Sequence, residues 1–415
     1  MKPLEKSIYQ HIISAGGEPY ITGGTVRDKM LGVSVRDTDV VVFGMDEQAL
    51  CKVLERFGQV LNYGKSFRVY QVRGLAVEFS LPRNQAAQQE MTMEQRLLGD
   101  AEGRDFTVNA LYMNPLTEEI MDPLGGQEDL RRRHLRMTSE HTFEDDPLRV
   151  LRGIQLRARM GFIVEDTTLD AMRKVSLHSV ATERIYDELN KWLLGENPGK
   201  GWEIMVATGH VPEICRTEMG FYDGMGAVLL KAASLRSQAT KPGLWMWGVL
   251  LSTSLLSSTS QHHKGQLIKG YGELVRKFEA LSNHAEHTHY VSEILWGLCH
   301  FQDHSWREPD VKRLSLGVNL DDMTLVVEAL TPYWKQMGNQ IQVLQAMNRV
   351  GKMRPQHKIR PLVKGSDLNK WGFSEGKVMG VLLETAFQMQ LEGITKGQME
   401  QVFKKYRQVF QKMGH

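Results

Sequence analysis

The stretch YITGGTVRDKMLGVSVRDTDVVVFG runs from Tyr20 to Gly44. It opens with the end of a short apolar run, turns at a Gly-Gly pair and continues as a helix-like segment. Two aspartates one residue apart, Asp37 and Asp39, then lead directly into four apolar residues. Short apolar runs bounded by turn residues are typical of buried strands. The pattern therefore predicts a strand, a glycine turn, a helix and an apolar strand that begins with two acids.

The rest of the first ~140 residues has the same mixture of strand and helix patterns. The strand candidates are EPYIT (18–22), DTDVVVFG (37–44), SFRVYQV (66–72), GLAVEFSL (74–81) and VNALYMNP (108–115). From about Thr142 onward only helical periodicity remains. We therefore predict an α+β fold, with a sheet-containing head followed by a long α-helical part. The run LLSTSLLSSTSQHHKG (250–265) is the best linker candidate, because Ser and Thr cluster there.

The composition is that of an ordinary soluble protein of 415 residues, with 41% hydrophobic and 24% charged residues. A net charge of +2 does not by itself indicate nucleic acid, so any basic surface must be local. Three widely spaced cysteines fit a reducing compartment and argue against a disulfide scaffold or a Cys-based zinc cluster. The N-terminus has no apolar signal core, and no apolar run is long enough to span a membrane. We predict a cytoplasmic protein without a membrane partner.

The glycine turn and the two aspartates together predict a site for a nucleoside triphosphate. Glycines in a strand-to-helix turn let backbone N–H groups approach a phosphate closely, although a Gly-Gly pair alone also suits a plain tight turn. Asp37 and Asp39 lie on one face of a strand, where two carboxylates repel each other unless a cation joins them. Mg²⁺ is commonly held by one or two carboxylates together with substrate phosphates. Solvated acids at a strand start are the alternative interpretation.

Two further motifs carry groups that suit a nucleotide. Arg104, before the strand candidate VNALYMNP, is placed to fork a triphosphate, although a lone arginine is typical of any protein surface. Asp146 precedes Pro147 and is a candidate helix N-cap. Asp146, Arg149 and Arg152 are spaced by three and would lie along one helix ridge. An Asp–Arg pair complements the amino donor and ring-nitrogen acceptor of cytosine and adenine, and opposes uracil and guanine.

These motifs together resemble the class II tRNA nucleotidyltransferase family, which comprises CCA-adding enzymes and bacterial poly(A) polymerases. Five motifs occur in the family's order between about Gly23 and Leu189, namely GGTVRDKMLG…RDTD, GRDFTVNAL, DPLGGQEDLRRR, DPLRVLRGIQLRARMGF and ATERIYDEL. A weaker match begins at IRPLVKGSDLNKWGF and is similar to the family's tRNA-contacting C-terminal region.

The resemblance implies a sea-horse-shaped molecule that adds the C and A residues of the 3′-terminal CCA to tRNA from CTP and ATP, with Mg²⁺ as cofactor. It implies a nucleotidyltransferase head with a mixed sheet (1–140), followed by a helical neck for base recognition (141–205), a helical body (206–300) and a helical tail that binds tRNA (301–415). The implied catalytic metal ligands are Asp37 and Asp39. The implied nucleotide-binding residues are Gly24, Arg27, Arg104, Asp146, Arg149 and Arg152.

The predicted tail contains a segment that is basic enough to form a local positive surface, although the net charge of the whole chain is small. Residues 352–377 include seven basic residues against two acidic ones. Such a segment binds RNA phosphates by counterion release, although a solvated basic face has the same composition. The predicted RNA-binding residues are Lys358, Arg360 and Lys364.

Several functions stay open at this point. Within the family, the chain is a CCA-adding enzyme, a partial enzyme that adds only CC or only A, or a poly(A) polymerase. The 20 residues from Asn84 to Gly103 look short for the flexible loop that full CCA-adding members carry, which keeps partial addition open. Outside the family, a DxD glycosyltransferase that uses a nucleotide sugar and a non-catalytic RNA-binding protein are the alternatives.

Overall fold

A computed structural model of the chain describes residues 2–35, 37–63, 68–82, 91–211, 223–257, 264–301, 307–355, 359–374 and 376–412. Its contacts divide the chain into two compact units, Met1–Thr217 and Glu218–His415. The first unit therefore contains both the predicted head and the predicted neck. The finer division into head, neck, body and tail stays a prediction.

The first unit is built around a mixed seven-stranded sheet. Its strands are β1 (Glu18–Thr22), β2 (Thr38–Phe43), β3 (Val60–Tyr63), β4 (Val69–Val72), β5 (Val77–Ser80), β6 (Tyr112–Met113) and β7 (Ile120–Met121). They lie in the order β3-β4-β5-β2-β1-β6-β7. Only β2 and β5 pair in parallel, and the other neighbours are antiparallel. The helices of this part are α1 (Pro3–Ser14), α2 (Gly24–Met30), α3 (Glu47–Leu54), α4 (Met93–Glu102) and α5 (Gly126–Arg132).

The apolar run of β2 is buried on both faces of the sheet. Val40 and Val42 belong to one hydrophobic cluster, which α1 and α3 cover. Val41 and Phe43 point to the opposite face, into a second cluster that includes residues of α4. Because successive strand residues alternate between faces, a strand at the centre of a covered sheet has to be apolar at every position. This strand is the rigid support on which the two aspartates stand.

The strand predictions hold for the centre of the sheet and fail at its edges. EPYIT matches β1 at both ends, and the candidates at 37–44, 66–72 and 74–81 contain β2, β4 and β5. The candidate at 108–115 is wrong over most of its length, because Thr107–Asn109 is a 3₁₀ turn and only Tyr112–Met113 pairs in the sheet. The strands β3 and β7 were not predicted.

Helices dominate the remainder of the first unit. They are α6 (Thr142–Asp145), α7 (Arg149–Met160), α8 (Asp166–Arg173), α9 (Thr182–Leu193) and α10 (Pro198–Thr208). The short strands β8 (His134–Leu135) and β9 (Ile163–Val164) form a separate parallel pair. That pair ties the end of the head to the turn after α7.

In the part that the structure describes, every regular element of the second unit is a helix. The helices are α11 (Met225–Leu235), α12 (Pro242–Ser257), α13 (Lys264–Ser282), α14 (Ala285–Phe301), α15 (Glu308–Gly317), α16 (Leu320–Ala329), α17 (Thr331–Gln336), α18 (Gln340–Met353), α19 (Gly365–Lys370), α20 (Lys377–Leu391) and α21 (Lys396–Lys412). Together with the mixed sheet, this confirms the predicted α+β class. No helix among the described residues combines the length and the apolar character that crossing a membrane requires.

The predicted linker at 250–265 is wrong for its first half. Residues 250–257 belong to α12, whose side chains are almost all buried. The hydroxyls of Thr253 and Ser254 donate to the carbonyls of Val249 and Leu250 within the same helix, at 2.9 and 3.1 Å. Because these internal bonds satisfy the hydroxyls, a Ser/Thr-rich run can be buried in a helix. Residues 258–263 lie outside the described residues.

Candidate active site

The turn after β1 favours glycine because of its backbone conformation. Gly23 has a φ of 69°, in the left-handed region that side chains disfavour. A Cβ at this position would lie 3.5 Å from Oδ2 of Asp39 and 3.6 Å from Nη1 of Arg104. The turn therefore brings bare backbone close to a carboxylate and a guanidinium. Helix α2 then begins at Gly24.

Thr25 fastens this turn to the start of β2. Its hydroxyl donates to the carbonyl of Asp37 and accepts the backbone N–H of Asp39, each at 3.2 Å. Asp37 stands directly before β2 and Asp39 lies within it. Both are exposed at the N-terminal end of this strand. The structure thus brings together the glycine turn and the two acids that the sequence singles out.

A pocket of about 170 Å³ opens beside Asp39. Its lining residues are Thr22, Asp39, Val69, Glu78, Ser80, Asp100, Gly103 and Arg104. Asp39 and Glu78 are partners in the register of the parallel pair β2–β5. The surrounding protein partly desolvates the carboxylate of Asp39 although the side chain reaches solvent, and this raises its pKa; the negative charges of Glu78 and Asp37 raise it further, while Arg104 and Arg152 lower it. The pocket therefore collects negative charge next to a guanidinium, an arrangement that suits a cation together with an anionic ligand.

Arg104 is held from two sides at the mouth of this pocket. Its Nε and Nη2 donate to Oδ2 of Asp100 at 3.0 and 2.8 Å, and its Nε also donates to the Tyr112 hydroxyl at 3.1 Å. The guanidinium lies over the ring of Tyr112, 5.1 Å from its centroid. The backbone carbonyl of Arg104 accepts a hydrogen bond from the Thr138 hydroxyl at 2.5 Å.

Arg27 is buried under the glycine turn and begins a chain of hydrogen bonds that runs to the neck. Its guanidinium contacts Asp28 at 2.7 Å and donates to Oδ1 of Asn109. Asn109 donates to Oδ1 of Asp105 at 3.0 Å, and Arg152 donates to Oδ2 of Asp105 at 2.6 Å. We call Arg27, Asn109, Asp105 and Arg152 the buried relay. It connects α2 to α7; Arg27, Asn109 and Asp105 are buried, whereas Arg152 keeps 41% of its side chain exposed.

Asp105 is the anionic member of this relay. Burial opposes its ionisation, but Arg152 and the hydrogen bonds from Asn109 and from the N–H of Phe106 outweigh burial and hold its pKa at about 2. A buried carboxylate with these partners is ionised at neutral pH. The predicted nucleotide contacts of Arg27 and Arg152 stay predictions, because in this structure both guanidinium groups are bound within the protein.

The predicted ridge of Asp146, Arg149 and Arg152 takes a different form. Helix α7 begins at Arg149, so the prediction that Asp146 is its N-cap is wrong. Oδ1 of Asp146 accepts the N–H of Leu148 at 3.2 Å, which forms a turn before the helix, and Oδ2 accepts Nη2 of Arg184 at 2.8 Å. Asp146 remains partly accessible, with 28% of its side chain exposed.

Arg149 points away from Asp146 and into the protein. Its Nη1 donates to the carbonyls of Arg104 and Thr142 at 3.1 and 3.0 Å, and its Nη2 donates to the carbonyl of Gly103 at 2.6 Å. The three members of the predicted ridge therefore bind three different groups. The role of Arg149 in reading a base stays a prediction, whereas its contact with the backbone beside Arg104 is a structural observation.

The predicted RNA-binding residues lie in the second unit. Arg360 and Lys364 are exposed on either side of the buried Val363, and Lys358 lies outside the described residues. Part of the local basic charge is neutralised, because Arg354 forms a bidentate pair with Asp321. Asp367, an acid of the same segment, is paired with Lys396 outside it at 2.8 Å. Arg360 and Lys364 remain at the surface, and their binding of RNA stays a prediction.

Three residues of the site were not assigned a role from the sequence. Glu78, in the motif VEFS, stands out in the sequence only as a possible third acid, and the register of β2 with β5 places it beside Asp39. Asp100 precedes Arg104 by four residues, a spacing that signals a helical Asp–Arg pair. Arg184 occurs in the motif ATERIYDEL, but its partner Asp146 is 38 residues away and was visible only in three dimensions.

Comparison with known families and proteins supports the same assignment. Residues 19–136 match the family described as "Poly A polymerase head domain". Residues 161–215 match the family described as "Probable RNA and SrmB- binding site of polymerase A". A "Multifunctional CCA protein" of Neisseria gonorrhoeae (strain NCCP11945) is 34% identical over 208 residues, which cover 46% of this chain and 48% of that protein. The chain thus spans about half the length of such curated relatives.

Another relative and two solved structures extend over more of the chain. The "CC-adding tRNA nucleotidyltransferase" of Halalkalibacterium halodurans is 28% identical over 317 residues, covering 75% of this chain and 74% of that protein. The CCA-adding enzyme of Bacillus stearothermophilus in complex with CTP aligns over 99% of this chain and 100% of its own, with a TM-score of 0.67 and 20% identity. The Thermotoga maritima CCA-adding enzyme complexed with tRNA aligns over 97% and 95%, with a TM-score of 0.66 and 20% identity.

The structural likeness concerns the fold, and the sequence matches concern the family. Residues 19–136, which match the head domain, include the glycine turn, the paired acids and Arg104 described above, and the sequence matches confirm the family resemblance predicted from the motifs. Over residues 19–136 and 161–215 this chain is therefore similar to the head domain and the probable RNA-binding site of poly(A) polymerase, in agreement with the class II tRNA nucleotidyltransferase family predicted from the motifs.

Proposed function

We propose that this chain is a template-independent tRNA nucleotidyltransferase that adds C and A residues of the 3′-terminal CCA from CTP and ATP. The observation that carries the proposal is the meeting of Asp39, Glu78 and Arg104 around the bare backbone of Gly23. Carboxylates for a cation and a guanidinium for phosphate oxygens are the groups that phosphoryl transfer requires. The 3′-hydroxyl of the RNA attacks the α-phosphate of the nucleotide, and pyrophosphate leaves.

The residues present fit Mg²⁺ as the cofactor. Asp37 and Asp39 supply the carboxylate oxygens that Mg²⁺ prefers. The pKa of Asp39 is raised first by desolvation and then by the negative charges of Glu78 and Asp37, and a divalent cation would offset that negative charge. Among the described residues no group of three or more His, Cys, Asp or Glu side chains forms a complete metal site, so water and substrate phosphates would complete the coordination. Bound Mg²⁺ would stabilise the charge on the attacking and leaving oxygens.

Base selection belongs, in this proposal, to the start of the neck. Asp146 presents a partly exposed carboxylate that Arg184 and the N–H of Leu148 orient. A carboxylate accepts a hydrogen bond from the amino group of cytosine or adenine and has no donor for the carbonyl of uracil or guanine. Arg149 and Arg152 are the arginines nearest to Asp146 in sequence, and we retain them as candidate partners for the base.

Transfer RNA is the proposed acceptor and the cytoplasm the proposed location. Positive charge for RNA phosphates comes from the exposed Arg360 and Lys364. Lys358, which lies between Arg354 and Arg360 in the sequence, adds to this charge. A reducing compartment agrees with the free thiols of Cys51 and Cys299.

Addition of CC alone is the second candidate function. The CC-adding relative of Halalkalibacterium halodurans aligns over three quarters of this chain, further than the Neisseria protein does. In addition, α4 occupies ten of the 20 residues between Asn84 and Gly103, which leaves little chain for a long loop.

One experiment tests the proposal and separates its two versions. The purified protein is incubated with tRNA transcripts that end at the discriminator base, at C or at CC, with CTP and ATP supplied separately and together, and the 3′ ends are sequenced. Addition of CCA to the shortest transcript supports the first candidate, and arrest at CC supports the second. Long A tracts would indicate a poly(A) polymerase, and no transfer to any transcript would contradict the proposed function.

A further inference from the structure

We propose that Asp100 is a positioning residue that fixes the guanidinium of Arg104 for the triphosphate. This inference rests on the proposed function, because it assigns a role within the same site. Asp100 lies on α4 and lines the pocket together with Asp39, Glu78 and Arg104. It is neither a predicted metal ligand nor one of the paired aspartates.

The guanidinium of Arg104 has one edge that is hydrogen-bonded within the protein and one nitrogen that is left for the glycine turn. The edge formed by Nε and Nη2 is bound to Oδ2 of Asp100. The remaining nitrogen, Nη1, is the atom that a Cβ on Gly23 would approach at 3.6 Å. Arg104 therefore presents Nη1 to the glycine turn while Asp100 holds the rest of the group. A guanidinium is planar and rigid, so fixing one edge fixes the direction of the other.

Tyr112 locks Asp100 in the same position. Its hydroxyl donates to the same Oδ2 atom at 2.6 Å, and its ring lies under the guanidinium of Arg104. Asp100 is nearly buried, with 7% of its side chain exposed, whereas Arg104 keeps 22% exposed toward the pocket. Three charge-assisted or short hydrogen bonds on one buried oxygen leave the carboxylate little freedom to move. The pair is therefore preorganised before any nucleotide binds.

The expected consequence is specific to the pyrophosphate part of the nucleotide. Without Asp100 the guanidinium loses its fixed direction, and we expect weaker binding of the triphosphate oxygens rather than a change in base choice. The loss should be on the order of tenfold to a hundredfold in kcat/KM for CTP, which is typical when a supporting hydrogen bond is removed from a site group.

The test measures inorganic pyrophosphate as a competitor and CTP binding without tRNA, for the wild-type protein, Asp100→Asn, Arg104→Ala and the double variant. Asp100→Asn keeps the size of the side chain and one oxygen acceptor for Tyr112. We expect it to weaken pyrophosphate binding about tenfold in the wild-type background and by less than about twofold in the Arg104→Ala background, because the two residues act as one unit. An equal loss in both backgrounds, or no loss in the wild-type background, would overturn the proposal.

Two further variants keep the result decisive. Asp129→Asn is the matched control, because Asp129 also binds an arginine, Arg136, at 2.7 Å with 14% of its side chain exposed. It should leave pyrophosphate binding unchanged, and a loss equal to that of Asp100→Asn would contradict a role specific to the pocket. If Asp100→Asn does not fold, Asp100→Glu retains the charge and displaces the guanidinium, and unchanged pyrophosphate affinity in that variant would overturn the proposal. Because these measurements need no RNA, they stand even if transfer to tRNA fails.

Discussion

At the scale of single residues, the carboxylates of the site outnumber the protein cations that offset their negative charge. Asp39 and Glu78 are neighbours on two parallel strands and line the pocket with Arg104, and Asp37 stands two residues before Asp39. A site of this kind favours an anionic substrate that arrives with its own cation. The residues that hold Arg104 have no chemical role of their own, and the same is true of Thr25 and the glycine turn. These groups nevertheless determine where the reacting groups stand.

Removing either aspartate of the pair should abolish nucleotide transfer without unfolding the protein. Both side chains are exposed, so Asp37→Ala and Asp39→Ala remove oxygen ligands while leaving the buried part of β2 intact. Incorporation of radiolabelled CTP and thermal unfolding are the two measurements. Asp170→Ala is the control, because Asp170 is exposed and pairs only with a neighbour on its own helix among the contacts described here. Wild-type incorporation in either active-site variant would refute the assignment.

The carboxylate of Asp146 should control which base is accepted. Asp146→Ala removes the acceptor for the amino group of C and A, so we expect misincorporation of UTP or GTP to rise relative to CTP. Arg184→Ala, which frees that carboxylate, should produce a smaller change in the same direction. The ratio of incorporated nucleotides in competition assays measures the effect. A uniform loss of all four nucleotides would show that Asp146 only shapes the turn before α7.

At the scale of secondary-structure elements, α7 is joined to the head by arginines. Arg149 is almost fully buried and binds three backbone carbonyls, two of them directly before Asp105. We therefore expect Arg149→Ala to lower the free energy of unfolding by about 3 kcal/mol, because it removes a buried donor that three carbonyls share, of which that of Arg104 keeps a second donor, the Thr138 hydroxyl. Asp146→Ala should cost about 1 kcal/mol or less. Chemical denaturation of the two variants provides the comparison, and equal stabilities would mean that Arg149 does not hold the two elements together.

Asp105, which lies at the same junction between the head and α7, should make the free energy of unfolding depend on pH. Its pKa in the folded protein is about 2, below the ordinary value near 3.9 for an unfolded chain. The ionised form is therefore favoured by folding, which contributes about 2 kcal/mol above pH 4 and loses that contribution as the pH falls toward 2. The difference in unfolding free energy between the wild type and Asp105→Asn should be constant from pH 7 to about 5 and should shrink below pH 4. A difference that is the same at pH 3 and pH 7 would contradict the low pKa.

How much of these elements can be predicted depends on whether the determining contacts are local. β1 and β2 follow from apolar runs in the sequence, and the glycine turn follows from the residue that it favours. The candidate at 108–115 fails because Asn109 and Thr107 bond to side chains far along the chain, Arg27 and Asp129, and so form a 3₁₀ turn instead of a strand. In the site, Gly23, Asp39 and Arg104 are predictable, whereas Glu78 and Arg184 are not, because register and tertiary packing bring them there.

At the scale of the whole molecule, the proposed active-site residues lie in the first unit and the proposed RNA contacts lie in the second. The chain has a net charge of only +2, so the seven basic residues between 352 and 377 form an unusual local concentration. Phosphate binding there would be independent of sequence, as an enzyme that accepts many tRNAs requires.

Reversing the exposed tail charges should weaken tRNA binding and flatten its dependence on salt. The variant changes Lys358, Arg360 and Lys364 to Glu, and fewer counterions are then released when RNA binds. Affinity for tRNA should be measured from about 50 to 200 mM salt, and affinity for free CTP should be unchanged because its site is in the head. Charge reversal of Lys52, an exposed lysine of α3 outside the range that matches the RNA-binding family, is the control. If both the affinity and the salt slope survive the triple change, the RNA path does not use this segment.

The buried relay also limits how this protein can be recombined with its relatives. A cut near residue 140 would separate Asp105 from Arg152 and leave a carboxylate in the interior without its counter-ion, which typically costs several kcal/mol. A head grafted onto foreign helices would face the same loss unless the graft supplied an arginine at the same place. Viable chimeras should therefore exchange residues 1–217 as one block, and fragment libraries should recover crossovers beyond α10 far more often than crossovers between β8 and α7.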